Sequence, residues 1–294
     1  MPAISVVIPL YNKEPYVARA LNSVLAQTFQ DLEVIVVDDG STDGGAAIVK
    51  EFDDPRIRLI RQENQGVSVA RNNGVEASRA ELVAFLDADD EWLPRHLRII
   101  DRLRAKYPEA GAYATGFKIH KSNGKEILPK FRRIPKRPWE GIIPSFFLSS
   151  ALGKYPVNSS VIAIPREVYL EVGGCPAGIR WGEDADLWGK IALKYPIAFS
   201  WELGATYYLN ATNRACKELL PLEKEPLVLT LQNAIKKGEV HPEKMDEVRE
   251  CINKRELARA VRHILYGDRD EARKIVSECR TQYLYFRKFM TLML

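Results

Sequence analysis

The sequence predicts an α/β fold in which helices flank a mostly parallel sheet, followed by a helical C-terminal extension. Strand and helix patterns alternate through about the first 90 residues, with short connections between them. Apolar runs such as residues 34–37 are hydrophobic at every position, which is typical of strands covered on both faces. Beyond about residue 213, strand patterns give way to interleaved Lys, Arg and Glu with helical spacing of the apolar residues.

The N-terminal elements follow one another in four strand–helix steps, which favour right-handed crossovers between parallel strands. Pro9 is expected to end the first strand, and Ser41 to cap the second helix. The first helix begins at about Pro15 and carries its apolar residues on one face. The other predicted elements are strands over residues 3–8, 33–37, 56–60 and 82–86 and helices over residues 42–52 and 64–78.

The rest of the chain has less regular patterns. A strand is predicted over residues 110–120, and the turn after it contains Asn123-Gly124, a pair that favours positive φ. Another strand covers residues 161–164, and a helix begins near Asp184 and ends before Pro196. Residues 219–294 are predicted to form two to four helices that pack on the α/β part.

Composition excludes several classes of protein. The chain has 294 residues, 28% of them charged, and a formal net charge of only +4, which argues against a nucleic-acid partner. Its four cysteines form no CxxC pair, so a zinc site is not expected and a reduced, cytoplasmic protein is the simplest interpretation; they are Cys175, Cys216, Cys251 and Cys279. The N-terminus lacks the pattern of a signal peptide, and no run of 18 apolar residues predicts a membrane span.

Acidic residues form three clusters, each at the end of a predicted strand or the start of a helix. A purely structural role is open for each, because Asp and Glu also begin turns and cap helices. For the first cluster the two interpretations are evenly balanced, and for the third the helix start would make a carboxylate a weaker base. The clusters are Asp38 with Asp39, then Asp87 with Asp89 and Asp90, and finally Glu183 with Asp184.

The second cluster favours a functional role. Three carboxylates within the four residues 87–90 repel one another unless a cation or several donors neutralise them. A hard divalent cation with oxygen ligands, Mg²⁺ or Mn²⁺, is the natural partner, with a diphosphate completing its coordination. In a parallel sheet the second and fourth strands end at the same edge, where α/β proteins bind ligands. The first cluster would then contact the base or ribose of the same nucleotide.

Five segments together resemble the family 2 glycosyltransferases, which are inverting enzymes of the GT-A fold. They are "ISVVIPLYNKEPYVARALNSVLAQTF", "EVIVVDDGSTDG", "NQGVSVARNNG", "LVAFLDADDEW" and "GEDADLW". Their order makes the resemblance specific over about residues 3–210, and the tail lies outside it. The resemblance implies a GT-A domain over residues 1–215, with a nucleotide-binding half (1–120) and an acceptor-binding half (121–215), and a helical extension over 216–294.

The resemblance also implies a role for residues at matching positions. Pro9 and Tyr11 would line the nucleotide pocket, Arg71 would lie near the nucleotide, and Asp39, with Asp38 beside it, would bind the base, usually uracil.

The remaining implied roles concern the metal and the chemistry. Asp87 and Asp89 are the DxD pair, with Asp89 as metal ligand and Asp90 as the alternative ligand. Asp184 would be the catalytic base, with Glu183 as the fallback. Mn²⁺ or Mg²⁺ would stabilise the departing diphosphate of a UDP-sugar while the base deprotonates an acceptor hydroxyl. The acceptor would be a glycan or a lipid-linked molecule, as in polysaccharide biosynthesis.

Rival functions fit the sequence less well. A nicotinamide dehydrogenase would carry GxGxxG after its first strand, and "IPLYNKEPY" does not. An aspartyl phosphatase has its Asp-x-Asp after the first strand with Thr or Val four residues on, where this chain has Glu91 after the fourth strand. A non-catalytic sugar-nucleotide-binding or scaffold protein is the stronger alternative, and the presence of all three acidic clusters argues against it.

Three features remain open at this point. A basic loop over residues 130–137 fits either contact with a donor or lipid phosphate or simple exposure to solvent. The final segment "TQYLYFRKFMTLML" fits packing on the core, which we favour, pairing with a second chain, or peripheral contact with the inner face of a membrane. Trp181 and Trp188 flank the third acidic cluster and fit stacking on a sugar ring, although core packing fits Trp188 equally well.

Overall fold

The computed structural model describes residues 1–212 and 222–293. Over these ranges the chain forms one mixed sheet of ten strands with helices on both faces. The strands are β1 (Ile4–Leu10), β2 (Leu32–Asp39), β3 (Ile57–Gln62), β4 (Leu82–Phe85), β5 (Glu91–Trp92), β6 (Ala112–His120), β7 (Glu126–Ile127), β8 (Glu140–Ile142), β9 (Ile162–Pro165) and β10 (Ile197–Tyr208).

The α-helices alternate with the strands in the N-terminal half and follow them in the tail. They are α1 (Glu14–Leu25), α2 (Gly45–Lys50), α3 (Val67–Glu76), α4 (His96–Lys106), α5 (Phe146–Leu152), α6 (Arg166–Glu171), α7 (Glu183–Lys194), α8 (Pro226–Lys237), α9 (Met245–Leu265), α10 (Arg269–Glu278) and α11 (Tyr285–Met293).

The main path of the sheet runs β3-β2-β1-β4-β9-β6-β10-β5, with β7 beside β6 and β8 beside β10. The first four strands are parallel, β6 and β10 are also parallel to each other, and β9 is antiparallel to both of its neighbours, β4 and β6. This arrangement confirms the predicted α/β fold with a mostly parallel sheet.

Successive side chains of the central strand β1 point to opposite faces of the sheet, so β1 contributes core residues to both faces. Val6 and Ile8 belong to a cluster that includes Leu21 of α1 and Leu97 of α4. Val7 belongs to the opposite cluster, which extends to α5, α7 and α8. All three strand residues have no exposed surface, which explains why the apolar runs in the sequence are continuous rather than alternating.

The sequence predicted that Pro9 ends the first strand, but β1 continues to Leu10. Val7 accepts a hydrogen bond from the backbone N–H of Leu86, so the backbone groups of Val7 point toward β4. The backbone of Pro9, two residues later, also faces β4, but the pairing of β1 with β4 stops at Val7. The N–H that proline lacks therefore has no strand partner to lose, and pairing with β2 continues.

The sequence did not predict β10, the longest strand. Its pairing with β6 is interrupted by register shifts between Ser200 and Ala205, which break the alternation that would have indicated a strand. Gly204 lies within this irregular stretch, and a Cβ at this position would lie 2.1 Å from Thr115 Oγ1 and 2.3 Å from His96 Nδ1. The bulge thus lets β10 pack closely against β6 and α4, and only glycine fits there.

The tail is helical, as predicted, and its first two helices complete the core of the α/β part. Leu227 and Leu231 of α8 are fully buried in the cluster that contains Val7. A Cβ on Gly189 of α7 would lie 2.2 Å from Leu227 Cδ1, so these two helices pack in close contact. On α9, Lys254 Nζ donates to the carbonyl oxygens of Ser150 and Gly153 at the end of α5.

Helix α10 and the segment before α11 pack on the second half of α9. Leu257 of α9, Ile275 and Val276 of α10 and Leu284 form a separate apolar cluster that Leu152 of α5 also contacts. The predicted domain boundary at residues 215 and 216, with Cys216, lies outside the described residues. Within the described ranges, no helix is long and apolar enough to cross a membrane.

Removal of the Leu231 side chain should destabilise the whole protein, since it belongs to the shared core. We expect Leu231→Ala to lower the free energy of unfolding by about 2–5 kcal/mol. Leu229→Ala on the same helix is the matched control, because Leu229 is 48% exposed and its loss should cost little. Urea unfolding of both variants measures the difference, and equal effects would contradict the packing of α8 on the α/β part.

Candidate active site

The loops after β1, β2 and β3 are joined at one edge of the sheet. Asn12, at φ 51°, donates its backbone N–H to Ser41 Oγ and accepts the N–H of Thr42 on Oδ1. Ser41 therefore connects two loops instead of capping α2, which begins later, at Gly45. Tyr11, beside Asn12, is 43% exposed at this edge, where the sequence predicted a nucleotide pocket, and Pro9 lies two residues before it in β1.

Asp38 and Asp39 end β2 side by side, and both are buried. Asp39 accepts hydrogen bonds from Gln62 Nε2 and from the backbone N–H groups of Gln65 and Gly66. Asp38 accepts from Ser41 N and from Arg61 Nε, at 3.0 and 2.9 Å. Asp39 thus fixes the loop between β3 and α3, while Asp38 faces the loop that follows β2.

The acidic turn after β4 presents two carboxylates and buries a third. The backbone N–H of Asp90 donates to the carbonyl of Asp87, which closes a turn. The side chain of Asp87 is 30% exposed, and one of its oxygens accepts from Arg71. Asp89 Oδ2 pairs with Lys13 Nζ at 2.7 Å. The other oxygen of each of these two carboxylates accepts no hydrogen bond from the described residues.

Asp90, predicted as the alternative metal ligand, is part of the core. Its side chain has no exposed surface and accepts hydrogen bonds from Ser160 Oγ and from Tyr208 N. Burial, reinforced by the negative charges of Asp87 and Asp89, raises the pKa of Asp90 well above its ordinary value. Both oxygens of Asp90 already accept hydrogen bonds inside the core, so it is poorly placed to bind a divalent cation, and Asp87 and Asp89 are the better candidates.

Arg71 of α3 connects two of the acidic clusters. Its guanidinium donates from Nη1 to Glu183 Oε1 and from Nη2 to Asp87 Oδ1, both at 2.9 Å. The Arg71 side chain is 6% exposed, so these ion pairs lie in a low-dielectric environment. Burial alone would lower the pKa of Arg71, but Asp87 and Glu183 outweigh it and keep the pKa well above its ordinary value.

Asp184, the predicted base, follows Glu183 in the first turn of α7. The turn before it places Gly182 at φ 83°, a left-handed conformation that favours glycine. Burial raises the pKa of Asp184 to about 7, with a further contribution from Glu183, although the helix start and Arg71 oppose this shift. Burial thus acts against the helix start, which by itself would make this carboxylate a weaker base.

Asn72, the neighbour of Arg71, holds the segment that leads to α7. Its Nδ2 donates to the carbonyl of Cys175, and its Oδ1 accepts from Cys175 N and from Tyr169 Oη. The sequence analysis assigned no role to Asn72, Lys13 or Ser160. The first two stand within the quoted segments "NQGVSVARNNG" and "ISVVIPLYNKEPY", but their partners are distant in the sequence and no local pattern indicates them.

The described residues include no group of three or more His, Cys, Asp or Glu side chains arranged to hold a metal ion. Asp87 and Asp89 nevertheless each have an oxygen that has no partner among the described residues and can coordinate a cation, and the ammonium of Lys13 already pairs with Asp89. The donor set consists of hard oxygen atoms, which Mg²⁺ and Mn²⁺ prefer. Two protein carboxylates are too few for a closed site, so further ligands would come from the bound nucleotide.

The flanking aromatic residues and the basic loop have separate surroundings. Trp188 is buried in the core, with its ring 5.6 Å from that of Tyr155, so it packs as a core residue. Trp181 is partly exposed, and the guanidinium of Arg262 lies 5.8 Å from its ring. All five basic side chains of the loop, Lys130, Arg132, Arg133, Lys136 and Arg137, are exposed.

Comparison with known proteins agrees with this architecture. The model of the family described as glycosyl transferase family 2 matches residues 5–158. The putative teichuronic acid biosynthesis glycosyltransferase TuaG of Bacillus subtilis is 36% identical over 197 residues, which are 66% of this chain and 73% of TuaG. For two other curated relatives, the match spans only 31% and 27% of the relative's own length.

Solved structures share the fold. Residues 1–349 of TarS from S. aureus, in complex with UDP-GlcNAc, superpose with a TM-score of 0.65 at 19% identity, covering 94% of this chain and 90% of that one. The mannosyltransferase PcManGT from Pyrobaculum calidifontis, in complex with GDP-Man and Mn²⁺, gives 0.64 at 20% identity, covering 94% and 74%.

The family match covers more than half of the chain, and it includes the acidic ends of β2 and β4. The sequence of TuaG and the fold of TarS agree with it. The chain therefore belongs to the family 2 glycosyltransferases.

Proposed function

We propose that this protein transfers a sugar from a nucleotide diphosphate donor, a UDP-sugar, to an acceptor hydroxyl with inversion and with the help of a divalent metal. The observation that carries the proposal is the buried Arg71, which holds Asp87 of the DxD pair beside Glu183 and hence beside Asp184. The carboxylates that could bind a metal with its diphosphate would then lie close to the carboxylate that could accept a proton. The relatives named above support the reaction class.

The donor nucleotide would bind where β1 and β2 end. Pro9 and Tyr11 border this edge, and Asp38 and Asp39 supply acceptors for the N–H of a uracil ring. Asp39 already accepts three hydrogen bonds from loop 62–66, whereas Asp38 accepts two. Asp39, which keeps one acceptor position, would bind the base, and Asp38, whose side chain has no exposed surface, would lie beside it. TarS, crystallised with UDP-GlcNAc, supports a uridine donor.

Asp87 and Asp89 would hold Mn²⁺ or Mg²⁺ together with the donor diphosphate. Each carboxylate offers an oxygen without a donor in the described parts of the chain, and the ammonium of Lys13 pairs with Asp89. When bound, the metal would stabilise negative charge on the departing nucleoside diphosphate. PcManGT, solved with GDP-Man and Mn²⁺, supports a metal in this fold.

Asp184 would accept the proton of the acceptor hydroxyl. Its raised pKa, about 7, makes it a stronger base than an ordinary Asp while leaving much of it ionised near neutral pH. Glu183 is the fallback, but Arg71 already binds one of its oxygens, which is then not available to the acceptor hydroxyl. One direct displacement needs one base, and inversion at the sugar follows.

The acceptor would bind in the half formed by residues 121–215, with residues 216–294 as a helical extension. A glycan or lipid-linked acceptor in polysaccharide biosynthesis fits the family, and TuaG supports that class. A cytoplasmic location, with contact at the inner face of a membrane or pairing of two chains through the tail, stays a prediction of the sequence.

Replacement of the proposed base tests the reaction directly. Asp184→Asn keeps the shape but loses the proton acceptor, so turnover should fall by roughly 10² to 10⁴ while UDP and Mn²⁺ binding persist. Glu183→Gln is the comparison variant, and it should disturb Arg71 without removing the base. Transfer rate and UDP affinity, measured for both variants, separate the roles. Near-normal transfer by Asp184→Asn would exclude Asp184 as the base.

The pH dependence provides an independent readout of the same group. Since the base must be ionised, kcat/KM should rise with pH through about 7 and then level off. Stability should show the opposite sign, because the folded-state pKa lies above the ordinary 3.8 and the stabilising neutral form is lost as pH rises through about 7. Asp184→Asn should therefore unfold at a higher temperature than the parent protein at pH 8, with a gap that narrows as the pH is lowered. A gap independent of pH would contradict the raised pKa.

Metal dependence is tested by calorimetry of UDP binding with Mn²⁺ and with a chelator. Mn²⁺ should strengthen UDP binding, and Asp89→Asn should remove most of this gain, because it removes a carboxylate of the proposed metal site. Asp90→Asn is the matched control, since Asp90 is buried and its replacement should leave the gain intact. Equal UDP affinity in the presence of Mn²⁺ and of chelator would refute the metal assignment, and parallel titrations with GDP test the choice of base.

A further inference from the structure

The tail contains a buried basic cluster that has no role in the function proposed above. Helix α9 carries Arg255 and Arg262, which are only 5% and 9% exposed. Glu225, just before α8, is the carboxylate near both, with Oε2 3.3 Å from Arg255 Nε and Oε1 3.7 Å from Arg262 Nη2. Two guanidinium groups thus share one carboxylate, which leaves this group of three side chains with one excess positive charge.

The nearby charged groups of α9 do not supply the missing negative charge. Glu256 makes its own ion pair with Arg259, at 2.7 Å. Lys254 adds another cation, although its ammonium donates to the carbonyls at the end of α5. Burial lowers the pKa of Arg255 to about 10, which reflects the cost of a cation at this position. Within the described residues the excess charge is therefore not compensated, and an uncompensated buried charge is expensive in a folded protein.

Several donors of the cluster have no hydrogen-bond partner among the described residues. They are Arg255 Nε, Nε and Nη2 of Arg262, and the hydroxyl of Tyr155. The contacts with Glu225 do not satisfy these groups, because one lacks hydrogen-bond geometry and the other is too long. The guanidinium of Arg255 lies 4.9 Å from the centre of the Tyr155 ring, so the hydroxyl and the guanidinium belong to one site. Buried donors are nearly always paired in native proteins, and such a group of exceptions points to a ligand.

The cluster adjoins the proposed base. The guanidinium of Arg262 lies 5.8 Å from the ring of Trp181, which stands three residues before Asp184. Pro226, next to Glu225, lies 3.7 Å from the position that a Cβ on Gly182 would occupy. A molecule bound by the two arginines would therefore sit beside the turn that positions Glu183 and Asp184.

We propose that Arg255 and Arg262 bind a phosphate group of the acceptor. Guanidinium N–H groups match phosphate oxygens in pairs, and the single charge of a phosphodiester would balance the excess charge of the two arginines and Glu225. The proposal rests on the proposed function, since it gives the acceptor that reaches Asp184 an anionic group. It also explains why a helix of the tail buries its arginines next to this turn, where an apolar contact would hold the tail equally well.

Phosphate binding by the full-length protein tests the proposal. We would titrate inorganic phosphate by calorimetry at constant ionic strength, both without UDP and with UDP and Mn²⁺ at saturation, so that the donor diphosphate site is filled. Phosphate should bind in both conditions, and Arg262→Gln should weaken this binding by about tenfold or more. Arg273→Gln is the matched control, because Arg273 is exposed on α10 and should leave binding unchanged.

Glu225→Gln separates a ligand site from a structural ion pair. At a ligand site the loss of Glu225 removes a competing negative charge, so phosphate should bind more tightly. In a purely structural cluster the same change would lower the melting temperature and leave phosphate binding absent or unchanged, which would overturn the proposal. If Arg262→Gln does not fold, the phosphate affinity of Glu225→Gln still tests whether the cluster binds a ligand.

The remaining outcomes distinguish the sources of phosphate. Phosphate that UDP displaces would belong to the donor site, and the proposal would be wrong. Phosphate binding that survives saturation with UDP and depends on Arg262 supports an acceptor phosphate. Failure of the parent protein to bind any nucleoside diphosphate would contradict the proposed function instead, and the titration without UDP would still report on Arg262.

Discussion

The arrangement of the site depends on one buried cation. Arg71 lies between Asp87 and Glu183, and each carboxylate compensates part of the cost of burying the guanidinium. The three residues come from α3, the turn after β4 and the start of α7, and Arg71 and Glu183 are 112 residues apart in the chain. Without Arg71 the buried Glu183 would lose its ion pair, so geometry and electrostatics at the edge of the sheet are coupled.

The same coupling explains how two adjacent acids can behave differently. Glu183 pairs with Arg71, whereas Asp184 has no ion pair among the described residues, and burial raises its pKa above the ordinary value. The acids of the turn after β4 also have different surroundings: Asp89 pairs with Lys13, whereas Asp90 is buried against Ser160. Position relative to the core, rather than residue type, thus separates acids that face the edge from acids that stabilise the fold.

Sequence reasoning was most successful where the physics is local. Continuous apolar runs indicated the parallel strands because both faces of the sheet are covered, and the acids that follow those strands do meet at one edge. It was less successful where partners are distant: β10 was missed because a bulge interrupts its pattern, and no spacing distinguishes buried Asp90 from Asp89. Lys13 and Asn72 likewise gain their importance from contacts made across the fold.

The position of β9 has a consequence for how the chain reaches this state. This short strand is the antiparallel connection between β4 and β6, which do not pair with each other. The sheet therefore cannot become continuous until residues 162–165 are available, although β4 ends at Phe85. Such long-range closure slows folding, and during synthesis the first parallel unit must wait with an open edge. The complete sheet can then form only after this four-residue segment from the middle of the chain has paired with both β4 and β6.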